Sequence, residues 1–259
     1  MNRDNIDKIA HTTEERLLLA KLWDKISGGI RRNIPANTGF LSPREQEMAR
    51  YLFGDCPGLV AFGGYEDAQR QMLCYFPDYL EPDFSEDAPL VCLRATYYEK
   101  EDLSHRDFLG ALMGFGISRE SVGDICVGNG TCDFFVTDEI APSLLQSFYA
   151  VGRVKIRLSQ IPLNDANIPE PEIRELRDTL ASLRLDSVIS SGFRIGRSLA
   201  CTYVSSGKTA INGLPCEKAD KQVSEGAEVS VRGLGKIKLY SVNGQTKKGR
   251  ISVVIHRYV

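Results

Sequence analysis

The chain has 259 residues, 42% of them hydrophobic and 25% charged, with a formal net charge of −2. That composition excludes a disordered or fibrous chain, and the length suits two or three domains. The near-neutral total argues against a nucleic-acid partner only until it is resolved along the chain: residues 180–259 hold 13 basic and 5 acidic side chains, whereas residues 1–179 hold 19 and 29.

The N-terminal segment, residues 1–55, reads as helical. Leu17, Leu18, Trp23 and Ile26 fall at helical intervals over Thr13–Arg32, and Ser42-Pro43-Arg44-Glu45 announces a second helix with a capping box and proline in the first turn. The first residues are polar and lack the apolar core of a secretory signal, and no apolar run nears the roughly 18 to 20 residues of a membrane span. The expectation is a cytoplasmic protein with no membrane span.

Residues 56–165 alternate between strand and helix patterns. Strands are predicted at Leu59–Phe62 and residues 90–98, and helices at 66–75 and 105–115, the latter capped by Ser104. Two strands near 124–127 and 133–136 join through the hairpin signal Asn129-Gly130, followed by a helix over 138–149 and a strand over 153–160. This order predicts an α/β sandwich with helices on one face of a mixed sheet. The small residues of Gly110 to Gly116 suit close packing of a helix on that sheet. The stretch 65–102 carries ten carboxylates against three basic groups and reads as a solvated face that can also meet protein partners. Pro162, Pro169 and Pro171 mark a linker, with a short helix predicted over 171–182.

Seven cysteines, odd in number and without a CxxC pair, read as small buried hydrophobes rather than a disulfide or zinc framework. Cys126 and Cys132 flank the hairpin turn. The three histidines, His11, His105 and His256, are far apart. No metal, cofactor or catalytic residue is expected.

The sharpest signal lies at 183–236. A short helix over 183–189 leads to Arg194 and Arg197, and Ser198 is read as the cap of a second helix over 199–205. Unpaired backbone N–H groups and the dipole at that helix start favour an anion such as phosphate. Lys208, Arg232 and Lys236 add charge from adjoining strands, with a hairpin turn at Asn212-Gly213.

These residues resemble the RNA-binding domain named after small-subunit ribosomal protein S-four. The matching elements are Arg184-Leu185-Asp186, Arg197-Ser198 entering the second helix, the turn Ala210-Ile211-Asn212-Gly213, and Gly226 with Val231-Arg232-Gly233. Gly196 and Ala227 depart from that pattern, where serine and aspartate are usual. Neither change removes a basic contact. Enzymes that carry such a module would need motifs that are missing, since no adenylate-binding signature and no glycine-rich loop between strand and helix occurs. Asp124 lacks the context of a pseudouridine-synthase aspartate. His105-Arg106-Asp107 spells a kinase triplet without the other kinase motifs.

The run from Leu103 to Ile117, with Arg119 and Gly123-Asp124-Ile125, resembles the signature of the bacterial YlmH family, as do Thr38 to Glu45 and Thr246 to Ile251. The resemblance implies an α+β protein: N-terminal helices over 1–55, an RNA-recognition-like (ferredoxin-like) α/β domain over 56–165, and an S-four-type RNA-binding domain with a C-terminal strand over 180–259. It also implies a non-enzymatic, ribosome-associated factor that binds rRNA, with or without tRNA, on the large ribosomal subunit, in quality control of stalled translation. The RNA-binding residues expected are Arg184, Arg194, Arg197, Ser198, Lys208, Arg232 and Lys236, extended by Lys247, Lys248 and Arg250. An RNA-modifying enzyme and a cell-division-linked adaptor are the alternative readings.

Overall fold

The computed structural model describes residues 3–80, 88–170, 172–246 and 249–258. The chain divides into two compact units, Met1–Pro169 and Glu170–Val259.

The first unit begins with three helices, α1 (Ile6–Ile9), α2 (Thr13–Arg32) and α3 (Pro43–Phe53). The hydroxyl of Thr12 caps α2 by accepting from the Glu15 N–H at 3.1 Å. Ser42 and Glu45 form the expected capping box on α3. Leu19, Leu22 and Ile26 are buried, and Trp23 stacks on Phe53 with ring centroids 6.0 Å apart. Leu17 stays 60% exposed, so the buried face of α2 is narrower than the leucine pattern suggested. The segment is not helical alone. Strand β1 (Ala36–Asn37) pairs with β3 (Met72–Tyr75), which also pairs with β2 (Leu59–Phe62), so a three-stranded antiparallel sheet crosses residue 55.

The helix predicted over 66–75 is absent, and its last residues form β3. Asp124 explains the change. Its carboxylate accepts from the backbone N–H of Gln69 at 2.6 Å and of Arg70 at 3.1 Å, and from the Tyr65 hydroxyl at 2.8 Å. These contacts satisfy in loop geometry the donors that a helix would have used.

A second sheet contains β4 (Leu90–Thr96), β5 (Val122–Val127), β6 (Thr131–Thr137) and β9 (Arg157–Ile161), in the order β5-β6-β4-β9. Helix α4 (His105–Gly114) lies between β4 and β5 in sequence, and α5 (Ala141–Ser147) between β6 and β9, the latter followed by a small hairpin of β7 (Ala150–Val151) and β8 (Val154–Lys155). All pairings are antiparallel, which corrects the expected mixed sheet. As expected, the helices share one face: Phe108, Leu112 and Leu144 pack against Leu93, Phe134 and Val136.

The opposite face is also covered. Phe40, Met72 and Cys74 pack on Leu90, Cys92, Cys126 and Phe135, and Leu163, Ala166 and Ile168 of the expected linker join them. The backbone at Gly64 (φ +102°) lies against the Phe135 ring, where a Cβ would come within 2.3 Å of Cδ1. On the same face Arg94 holds the buried Asp133 in a two-pronged pair, with Nε to Oδ1 at 2.7 Å. The register sets Cys126 opposite Asp133 and Cys132 opposite Val127, and the two thiols pack on different faces, so they do not meet. Burial pushes the Cys74, Cys92 and Cys126 thiols up to about 12, which keeps them protonated and inert.

The second unit opens not with a helix but with β10 (Ile173–Leu180), whose eight residues all pair with β15 (Ile251–Tyr258). Leu176 and Leu180 are buried in the core while Glu175 and Arg177 are exposed and Thr179 is half-buried, a strand pattern that only the distant partner reveals. Helices α6 (Leu185–Phe193) and α7 (Arg197–Ser205) follow, then β11 (Thr209–Ile211), β12 (Leu214–Pro215), β13 (Glu228–Val231) and β14 (Gly235–Gln245). The sheet order is β10-β15-β14-β13-β11-β12. Helix α6 buries Val188 and Ile189 in one core with Ile237, Leu239, Val253 and Ile255. The helix runs past the predicted 189, and Gly192 lies inside it, where a Cβ would strike Ile237.

The expected packing role of the α4 glycines is overturned. Gly110 and Gly114 are exposed, and a Cβ at either would meet nothing within 4 Å. Glycine in a helix interior costs about 1 kcal/mol relative to alanine. Gly110→Ala is therefore expected to raise the unfolding free energy by roughly 0.5–1 kcal/mol, and Gly64→Ala to lower it. Paired urea titrations followed by circular dichroism check both signs.

Candidate nucleic-acid interface

The cationic residues of the second unit are organised by one buried carboxylate. Asp186, in the first turn of α6, is 2% exposed. Its Oδ2 receives Nε and a terminal nitrogen of Arg197, both at 2.9 Å, and the Cys201 thiol at 3.6 Å. Arg184, the residue that caps α6, reaches Oδ1 through Nε at 3.3 Å and Oδ2 through a terminal nitrogen at 3.4 Å. Burial alone would raise the carboxyl's pKa. Hydrogen bonds and charge from Arg197 and Arg184 outweigh it and hold the group below the ordinary aspartate value. Both guanidinium groups remain accessible, with side chains 38% and 54% exposed for Arg184 and Arg197.

Arg194 is placed by the backbone. It stands just past α6 in the left-handed region (φ 54°), where its N–H donates to the Ser191 carbonyl while the Ile195 N–H donates to that of Ser190. This is the Schellman ending, a position that glycine usually occupies. Arginine there carries about 1 kcal/mol of strain that glycine would not. Helix α7 then starts at Arg197 with Gly196 as its cap residue. Ser198 is consequently an exposed residue of the first turn and not the cap.

Arg194 and Arg197 line a cleft of about 360 Å³, together with Ser187, Ser190, Ser191 and Arg250. Arg250 comes from the far side of the chain and is fixed there, its Nε donating to the Thr179 hydroxyl at 3.0 Å and a terminal nitrogen to the Thr179 carbonyl. Asp178 is the one carboxylate on the cleft wall, and it accepts from the Ser191 hydroxyl at 2.6 Å and the Thr179 N–H at 2.7 Å. Three arginines lining one polar cleft suit an anion chemically, since arginine presents planar paired donors that match phosphate oxygens.

The other expected residues lie elsewhere in the unit. Lys208 and Arg232 are exposed neighbours, tied by the Arg232 N–H donating to the Lys208 carbonyl at 2.8 Å, and Lys208 lies 5.7 Å over the Tyr203 ring. Lys236 points to the sheet face away from α6 and pairs with Glu228 at 2.6 Å. Lys247 and Lys248 lie outside the described residues. The sequence reading missed the organising role of Asp186, although Arg184-Leu185-Asp186 was its visible sign. It also missed Tyr240, His256 and Tyr258, whose strand register no local pattern shows.

In the first unit, the partly buried Arg119 donates to the carbonyls of Val122 at 2.6 Å and Gly123 at 3.4 Å. Among the described residues no group of three or more His, Cys, Asp and Glu could hold a metal, and no helix is long and apolar enough to cross a membrane.

Fold and cleft together define a two-unit α+β protein with an arginine-walled anion cleft in its second unit. A family profile described as "Putative RNA-binding domain in YlmH" matches residues 85–165. The ribosome-associated protein quality control protein P2 of Bacillus subtilis (strain 168) is 35% identical over 222 residues, 85% of this chain and 86% of its own length. The solved structure of the cell division protein ylmH from Streptococcus pneumoniae is similar in fold, with a TM-score of 0.52 and 21% identity over 62% of this chain and 98% of that one. The chain belongs to the YlmH family.

The lowered pKa of Asp186 fixes the sign of a pH effect. A carboxylate held below its unfolded value stabilises the fold above pH ~4, and this stabilisation is lost as pH falls through the folded-state value. Asp186→Asn is expected to cost about 2 kcal/mol at pH 7, less than a fully buried pair because both arginines reach water. Its stability should also fall less steeply below pH ~4 than that of the parent. Urea unfolding at a series of pH values measures both.

Proposed function

We propose that this chain is a ribosome-associated RNA-binding factor whose second unit grips structured ribosomal RNA through its phosphates. The observation that carries the reading is the convergence of Arg194, Arg197 and Arg250 on one cleft, with Arg197 and Arg184 pre-set by Asp186. Phosphate contacts position a protein on RNA without reading sequence, and their number sets the salt dependence. The order of two short helices followed by the β11–β12 hairpin supports the S-four-type reading of this unit. The name of the Bacillus relative supports the ribosome as target and quality control of translation as the process. In this reading the large subunit presents the RNA, tRNA held on it adds further phosphates, and the protein works in the cytoplasm.

The first unit supports this from another side. The strands of its four-stranded sheet, the fourth beside the first and the third between first and second, with α4 and α5 as connections, support a ferredoxin-like reading. RNA-recognition domains of that fold stack bases on exposed aromatics of the open sheet face. Here that face carries Cys92 and Phe135 under Phe40, Met72 and Cys74, and the Arg94–Asp133 pair, which the backbone of Asp165 and Asn167 meets. RNA contact by residues 85–165 therefore runs through helices and loops, and the unit contributes shape and protein contacts. Asp124, the aspartate that a modifying-enzyme reading would use, is occupied by three donors from one loop, which favours a binding role over catalysis.

Arg194→Gly separates folding from binding. It relieves the left-handed strain and is expected to raise stability by roughly 0.5–1 kcal/mol, yet it removes a phosphate contact. Combined with Arg197→Ala, it should lower co-sedimentation with large ribosomal subunits by about tenfold or more, and reduce the slope of log affinity against log salt by about 2. Unchanged co-sedimentation by the folded double variant would overturn the assignment.

A further inference from the structure

The sheet of the second unit has a face that the cleft does not use. The pleat turns Ile237, Leu239, Val253 and Ile255 onto α6, so Lys236, Lys238 and Tyr240 of β14, with Val254, His256 and Tyr258 of β15, point the other way. Tyr240 sits at a bulge. The pairing steps from Leu239–Ile255 to Ser241–Val254 and leaves Tyr240 without an opposite residue. Bulges re-aim side chains, and this one lays the Tyr240 ring on the His256 imidazole, with centroids 4.0 Å apart and planes 13° from parallel. Tyr240 is nevertheless 52% exposed. One side of the ring is backed by imidazole and much of the rest meets water.

Cations are interleaved with these rings. Lys236 lies 5.4 Å from the Tyr258 ring centre, Lys238 stands opposite His256, and Arg177 of β10 is exposed beside Val254 in the register. Two acids share the face. Glu228 pairs with Lys236 at 2.6 Å, and Glu175 accepts from Arg177 at 2.8 Å and lies 3.9 Å from His256. The formal balance stays positive, inside a unit with a large excess of basic groups. A protein segment would want an apolar rim, whereas the aliphatic groups here are Val254 and the edge residue Ile173. A backed aromatic ring flanked by cations suits a nucleobase, whose π-face stacks whatever its sequence while neighbouring phosphates meet the lysines and arginine.

We propose that Tyr240, backed by His256, is a stacking platform for an unpaired RNA base, with Lys236, Lys238 and Arg177 meeting the flanking phosphates. This deepens the RNA-binding reading and rests on it. It gives the unit two RNA surfaces of different chemistry, a cleft for phosphates on the helical side and a ring for a base on the sheet side.

The test titrates the full chain with a fluorescently labelled single-stranded oligoadenylate of about 12 nucleotides, within the span of known single-strand sites, and with a blunt RNA duplex of equal phosphate count. Tyr240→Ala should weaken single-strand binding by roughly fivefold or more, leave duplex binding within about twofold, and be rescued by Tyr240→Phe, which keeps the ring. Unchanged single-strand binding by Tyr240→Ala, an equal loss on both RNAs, or a Tyr240→Phe variant as weak as alanine overturns the platform. Loss of a protein partner with single-strand binding intact overturns it in favour of a protein dock. If the parent chain binds the duplex but not the single strand, the platform falls while the cleft stands; if it binds neither, both readings fall. Arg194→Gly with Arg197→Ala should show the converse pattern, losing the duplex more than the single strand.

Discussion

The burial of Asp186 is the constraint on which the second unit's chemistry depends. Removing a carboxylate from water costs several kcal/mol unless charged donors surround it, and here the donors are Arg184 and Arg197, one on each of two helices. The same residue anchors a third segment, since its N–H donates to the Ala219 carbonyl at 3.1 Å while the Leu185 N–H donates to that of Lys221 at 2.8 Å. A single acid thus joins the starts of α6 and α7 to the chain that leads into β13. Arg197 does not have to be ordered by its ligand, which removes part of the entropy cost of binding a flexible side chain.

How far the sequence could be read depended on whether the deciding contacts were local. The caps of α3 and α4 and the turn at Asn212-Gly213 rest on residues within four positions of one another, and each formed where the pattern indicated. The segments 66–75 and 171–182 went wrong because their deciding partners are distant: Asp124 for the first, and β15 for described residues 173–180 of the second. Among site residues, Arg194 and Arg197 were legible from the Leu-rich helix and glycine spacing around them. Arg250 was expected to extend their surface, but the Thr179 contact that fixes it was not legible, because it comes from a strand read as a helix. Tyr240 was invisible for a related reason, since a bulge is a property of two strands and not of one.

The largest sheets of the two units treat their faces oppositely. In the first unit both faces are closed, by α4 and α5 on one side and by Phe40, Met72 and Cys74 on the other. In the second unit α6 closes one face, and the other keeps its rings and cations at the surface. The negative excess of the first unit and the positive excess of the second follow the same division. Polyanions are attracted by the unit with the basic excess and repelled by the one with the acidic excess.

The pairing of β10 with β15 also governs when the second unit comes into being. Among the described strands of that unit β10 is the first to be synthesised and β15 the last, and β10 pairs with no other. Sheet closure therefore waits until the whole unit has left the ribosome that makes it, because long-range pairing forms only after the intervening loop has been ordered. Arg250 reaches Thr179 through that closure. A nascent chain whose β15 has not yet paired with β10 thus lacks the Arg250 wall of the cleft.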